Sequence, residues 1–548
     1  FVLPDPAGAP NDPLRLVRQR SEVVRELVTL LNADVAFSID PAGAELKERV
    51  LAMVPNYLSA AAQEWDTVPS PGCRSEPVLP QHLPPPGAGQ WRYRFDNICL
   101  QDLVLRARGD RASETEVVVA VLDTCPSPQR VTKFPGGGGQ PPRDNLLYQS
   151  LLGAAGSGQV VLDATAAGAP ALPQDYLRNV MVNHNGEPAA ADPADPAHNA
   201  LVDVADHGLF ATGIVHDVAP RAQIRLIRVL NDYGAGDSQV LLATLAALLG
   251  DEKLRPTAAR RLIVNLSLAV DLPPGTDLLR FWYPAAYQSL KGRLARGLAQ
   301  QTNPAPDIAS VLAGFPAPGP QLLRMLELLH LDLQETIATL RDQGVLVVAA
   351  AGNENRPPAP AGQPLPPPGQ PVSLPAPLPP PEPCWPARFD QVLGVAAVQG
   401  NQSAATYSNR GDVVTLENGL GVYGGEARPP APGQPPRIPI PGRALEADAV
   451  RGLYSAPALA AGKNETGWAL WAGTSFAAPV ITGLAADLWA EHPELTPRQV
   501  IEWLRHHAAL LGPANDPDGP LDAATILARQ EWVPAPGVRR PRAILRRR

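Results

Sequence analysis

Apolar residues first recur every three or four positions and then, past residue 115, gather into short unbroken runs. Within 14–32, Leu16, Val17, Val23, Val24, Leu27, Val28 and Leu31 fall near helical spacing, and within 45–65 so do Leu46, Val50, Met53 and Leu58. The spacing predicts a helical N-terminal region over 1–114, ended by a proline-rich connector at 68–90. The runs VVVAVLD (117–123), QIRLIRVL (223–230), RLIVNLSL (261–268) and GVLVVAAAGN (344–353) read as strands buried on both faces. Helical patterns at 238–249 and 321–343 supply the crossovers that parallel pairing needs. An α/β domain with a mostly parallel sheet is expected over 115–528, with its chemistry at the carboxyl ends of the strands.

Composition adds bounds to this picture. The 548 residues, 45% of them hydrophobic, suffice for one large domain with extensions. The 65 prolines concentrate at 356–386 and 428–443, which read as stiff polyproline surface insertions or as ligands for proline-reading modules. Further insertions are expected at about 124–200 and 271–320; the latter carries Phe281, Trp282 and Tyr283. A net charge of -8 gives no case for nucleic-acid binding, and the arginine-rich 529–548 reads as a solvated tail. No apolar run is long enough to span a membrane. The opening FVLPDPAGAP shows no signal peptide, and its starting Phe points to residues upstream. Cys73, Cys99, Cys125 and Cys384 lie far apart, which argues against zinc and leaves cytosolic thiols or an exported protein's disulfides.

Four polar residues interrupt apolar surroundings. Asp123 ends the first run, His207 opens an apolar helix in DHGLFATGIV, Asn353 follows a buried strand, and Ser475 stands in GTSFAAP. Singly, each reads as a turn or cap residue. Together they supply what acyl transfer needs. A serine hydroxyl requires a base within hydrogen-bond reach, and imidazole titrates near neutrality. The base requires a carboxylate on its other nitrogen. The oxyanion requires placed donors, here an asparagine amide and the Ser475 N–H at a helix start.

These windows resemble the subtilisin-like serine proteases: VAVLDT around Asp123, HG with TGIV and VAP around His207, VVAAAGNEN around Asn353, and GTSFAAP around Ser475, in the order Asp, His, Ser. The resemblance covers about 115–528 and implies a three-layer subtilisin-like fold and a serine endopeptidase. It implies catalytic Asp123, His207 and Ser475, an oxyanion donor in Asn353, and a substrate site formed by Ser267, Leu268, Ala269, Tyr233 and Gly234. Departures from the family pattern are Cys125 and Leu209, where glycine and threonine are usual, and Ala269 in place of a common glycine in the substrate strand. The implied partner is a protein or peptide substrate, with a regulatory partner on the N-terminal region or insertions, or a latent scaffold, as the alternative. No cofactor is required. Calcium is common in the family, but Asp516, Asp518 and Asp522 read as a turn. The 1–114 region reads as a retained accessory segment or a cleaved pro-segment.

Overall fold

The computed structural model describes residues 58–61, 75–80, 90–95, 115–134, 142–170, 204–270 except 233, 331–353, 383–400, 403–409, 419–428, 442–444, 446–459, 462–509 and 528–533. The helices predicted within 14–32 and 45–57, the 271–320 insertion, most of both proline-rich stretches and Asp516, Asp518 and Asp522 lie outside them. The chain divides into two units. Phe1–Leu58, Asn179–Ala190 and Asp271–Glu335 form the first, of which only Leu58 and 331–335 are described; the rest of the chain forms the second.

Three short strands precede the long apolar runs: β1 (Leu58–Ala61), β2 (Ser75–Glu76) and β3 (Gln90–Phe95). The first run forms β4 (Glu116–Asp123), buried from Val117 to Asp123 as a strand covered on both faces must be. Helices α1 (Pro128–Thr132) and α2 (Leu146–Gly156), strand β5 (Val160–Ala164), helix α3 (His207–Val218) and strand β6 (Gln223–Arg228) follow. Next come β7 (Ala235–Asp237), α4 (Ser238–Gly250), β8 (Arg260–Leu266), β9 (Leu268–Val270), α5 (Leu331–Asp342), β10 (Leu346–Ala350) and β11 (Leu393–Val398). Strands β12 (Gly419–Tyr423), β13 (Ala427–Arg428), β14 (Gly442–Ala444), β15 (Val450–Leu453), β16 (Ala458–Leu459), β17 (Gly462–Lys463) and β18 (Trp468–Trp471) lead to α6 (Thr474–Glu491), α7 (Pro497–Ala509) and β19 (Ala528–Val533).

Seven strands make one sheet in the order β12-β11-β10-β8-β4-β6-β5, and every neighbouring pair is parallel. With helices on its faces this is a three-layer α/β fold. The chain leaves β4 for β5 and β6 on one side and then crosses to β8, β10 and β11 on the other. The carboxyl end of β4, where Asp123 stands, is therefore a switch point of the kind at which open sheets bind ligands.

One connection breaks the usual hand. The chain steps outward from β4 to β5 through α2 and back from β5 to β6 through α3, yet α2 and α3 pack on each other. Two helices on one face, reached by steps in opposite directions, cannot both be right-handed crossovers. The exception sets α3 beside α6, where Gly483 of α6 faces Val218 so closely that an added methyl would overlap it. Helix α6 is buried from Thr474 to Trp489, an apolar-all-round helix in the core.

The N-terminal segment differs from the helical expectation. Residues 58–61, inside the window read as helix, are a strand. They lie between β7 and β9, with Ser59 opposite Val270, Ala60 opposite Ala269 and Ala61 opposite Leu268. Long-range backbone pairing overrides the local propensity of this alanine-rich stretch. Val78 exchanges two backbone hydrogen bonds with Leu470 of β18 at 2.9 and 2.8 Å. Strand β3 pairs along its whole length with β19, so the stretch read as the start of a solvated tail is sheet.

Candidate active site

Asp123 ends β4 fully buried, and its carboxylate accepts a hydrogen bond from the Thr124 N–H at 2.6 Å. His207 Nδ1 lies 2.8 and 3.0 Å from the two oxygens of the same carboxylate. The imidazole packs edge-on to Trp471 and tilted against Phe476, with centroids 5.3 and 5.1 Å away. Thr124 completes the start of α3. Its hydroxyl accepts the Gly208 N–H at 3.0 Å, a first-turn donor that the helix cannot satisfy, and donates to the Val204 and Ala205 carbonyls. Gly208 is required there because a methyl at that position would overlap the Thr124 carbonyl oxygen.

Ser475 is the second residue of α6 and is 2% exposed. Its Oγ donates to the Ser267 carbonyl at 3.2 Å rather than to His207, so the structure brings Asp123 to His207 but leaves the hydroxyl turned aside. Pro479, four residues on, has no N–H for the Ser475 carbonyl. The Ser267 hydroxyl fills that role, donating to it at 2.7 Å while accepting from Asn265 Nδ2 at 3.0 Å. Asn265 Oδ1 in turn accepts from the Thr482 hydroxyl.

Asn353 lies across the start of α6. Its side-chain oxygen accepts from both the N–H and the hydroxyl of Thr474 at 2.9 Å, and the Thr474 oxygen accepts from the Gly352 N–H. These bonds fix which end of the amide is oxygen and give its nitrogen the donor role.

Leu268 and Ala269 lie on β9, the strand that pairs with β1, and Ser267 immediately precedes it. Gly234 precedes β7 in a positive-φ conformation, φ 76°, which favours glycine. Tyr233 lies outside the described residues. Leu209 is a buried core residue. Cys125 is likewise buried, and desolvation pushes its thiol up to about 12 against the opposing pull of Arg228, which removes it from thiolate chemistry. Among the described residues Cys125 and Cys384 are free cysteines, no cluster of three or more His, Cys, Asp or Glu is placed to hold a metal ion, and no helix is long and apolar enough to cross a membrane. Motif reading missed Thr124 and the carbonyl role of Ser267. The proline at 479, which has no N–H, is the sequence signal by which an unsatisfied carbonyl at Ser475 can be found.

A solved structure of the prenylagaramide maturation protease PagA is similar at a TM-score of 0.38 and 16% identity, covering 78% of this chain and 92% of that one. A cold-adapted subtilisin-like serine proteinase is similar at a TM-score of 0.34 and 14% identity, covering 72% and 83%. No curated protein matches by sequence. The subtilase family model matches residues 114–524, and the chain is a member of that family of serine peptidases.

Proposed function

We propose that the chain is a serine endopeptidase acting through an acyl-enzyme on Ser475. The observation that carries this reading is the buried imidazole bonded to Asp123 through Nδ1 and packed against Phe476, the residue next to Ser475. A carboxylate on Nδ1 holds the proton there and leaves Nε2 as the base. His207 then takes the Ser475 proton as Oγ attacks a peptide carbonyl, and returns it to the leaving amine. The long bond from Ser475 Oγ to Ser267 gives way as substrate enters, since catalytic hydrogen bonds commonly tighten only in the complex. The Asn353 amide and the Ser475 N–H, a first-turn donor, hold the oxyanion, and water hydrolyses the acyl-enzyme. The reaction as written uses no cofactor.

Endo-acting chemistry needs a cleft that accepts a chain continuing in both directions. Strand β1 supports this, because it is a mid-chain segment laid antiparallel on β9 with its carboxyl end running toward Ser267. A substrate segment on β9 would gain the same main-chain pairing. A fluorophosphonate probe is expected to label Ser475 and to fail on Ser475→Ala. Digestion of a protein with blocked termini is expected to yield internal fragments; release of terminal residues alone would refute the endopeptidase assignment.

The same strand favours latency as a second reading. With β1 between β7 and β9, the backbone edge offered to substrate is already paired. Ala60→Pro puts a proline into this central strand and weakens its pairing. The variant is expected to label several times faster than the parent, whereas equal rates would argue that β1 does not compete with substrate.

A further inference from the structure

We infer that Asp206 is a positioning residue for His207, an inference that rests on the acyl-transfer reading of the site. Asp206 occupies the cap position of α3, where an aspartate ordinarily accepts a first-turn N–H, yet it makes no side-chain cap bond. Thr124 takes over the Gly208 N–H, and the Asp206 carboxylate turns to other partners. One oxygen accepts the Ser455 hydroxyl at 2.7 Å. The other accepts the Ser455 N–H at 2.9 Å, the Ala456 N–H at 2.7 Å and Arg130 Nη2 at 2.7 Å. Arg130 Nε donates to the Ser455 oxygen at 3.1 Å, closing the network.

The three segments tied by this carboxylate are those that carry the three reacting groups. Arg130 lies on α1, just after Asp123. Asp206 adjoins His207. Ser455 and Ala456 follow β15, which pairs with β18, and β18 leads into the α6 turn of Ser475. Tyr454 also meets Trp471 edge-on at 6.2 Å, and Trp471 borders the imidazole. Asp206 is 0% exposed, and a buried carboxylate is retained at such cost only when fully paired, as this one is. Its charge-assisted bonds fix the first turn of α3 against the strand end holding Asp123 and the ribbon leading to Ser475.

Asp206→Asn tests the assignment because it keeps the shape, and much of the hydrogen bonding, while stranding the Arg130 charge. Turnover is measured per active site, counted with the fluorophosphonate probe, at a temperature well below the variant's melting point. Asp206→Asn is expected to lower kcat by about 10- to 100-fold with KM changed by less than about threefold. Adding Arg130→Met is expected to recover a large part of the loss. A merely structural role would lower the melting temperature and leave kcat per titrated site within about twofold of the parent, and that result overturns the inference. Should Asp206→Asn fail to fold, Ser455→Ala is read by the same criterion, with a several-fold loss of kcat expected and an unchanged kcat overturning. Ser475→Ala serves as the control: activity surviving there overturns the acyl-transfer reading itself, while an inert Ser475→Ala beside a fully active Asp206→Asn overturns only the positioning role.

Discussion

A single missing N–H shapes the strand beside Ser475. Pro479 cannot bond the Ser475 carbonyl, and the Ser267 hydroxyl does so in its place. Ser267→Ala therefore leaves a buried carbonyl without its donor, a loss of about 1–3 kcal/mol. A lower melting temperature together with reduced kcat/KM is expected, and a variant with unchanged melting would refute the account. Gly208 is governed by space instead. A methyl there meets the Thr124 carbonyl and crowds the Asp123 Cβ and Leu226, so Gly208→Ala is expected to pry α3 from β4 and abolish probe labelling of Ser475. The places of Asp123, His207, Asn353 and Ser475 at strand ends and helix starts were legible in the sequence because each sits in a short motif whose neighbours announce them. Asp206, Arg130 and Ser455 were not, because their only signal is mutual contact across 76 to 325 positions.

At the scale of elements, burial does most to separate what was readable from what was not. Strands β4, β8 and β10 follow from their unbroken apolar runs. Helix α3 is buried at every residue, so its pattern marks no outer face, and its His207, His216 and Asp217 meet partners from distant segments. His216 near its carboxyl end is bonded to Ser150 at 2.9 Å, and among the described residues its Nδ1 has no partner. Burial, helped by the nearby positive Arg92, lowers its pKa from 6.5 to about 4, with the Ser150 hydrogen bond working the other way. Because the folded state holds the neutral form, the unfolded chain binds more protons between those values. This stability is complete above about pH 6.5 and is lost as pH falls toward 4, on the order of 3 kcal/mol for a shift of this size. Urea unfolding at pH 7 and pH 5 is expected to show a smaller decline for His216→Gln than for the parent, and equal declines would refute the assignment.

Over the whole molecule, the peptidase domain extends further back than the motifs indicate. The family match begins at 114, and the change from helical to strand-like patterning begins near the same place. Residues 75–80 and 90–95 nevertheless supply backbone partners that the domain cannot replace locally. Strand β2 pairs with β14, Val78 closes on Leu470 five residues before Ser475, and β3 takes all six residues of β19. Arg92 also reaches Asp217 at 3.8 Å, and Arg451 lies over the Trp91 ring at 4.4 Å. Proline-rich flanks and short strands hid this in the sequence, since two- to six-residue strands acquire their identity only from the partner they meet. Division of the chain between β1 and β2 therefore keeps β2 and β3 with their partners β14 and β19. A chain starting at residue 63 is expected to fold cooperatively and label at Ser475, having shed β1 but kept β2 and β3. A chain starting at residue 115 strands β19 as an unpaired edge and frees the backbone of Leu470, and it is expected to melt lower or aggregate. Equal melting temperatures for the two would place the domain boundary at 114 and overturn the assignment of β2, Val78 and β3 to the peptidase core.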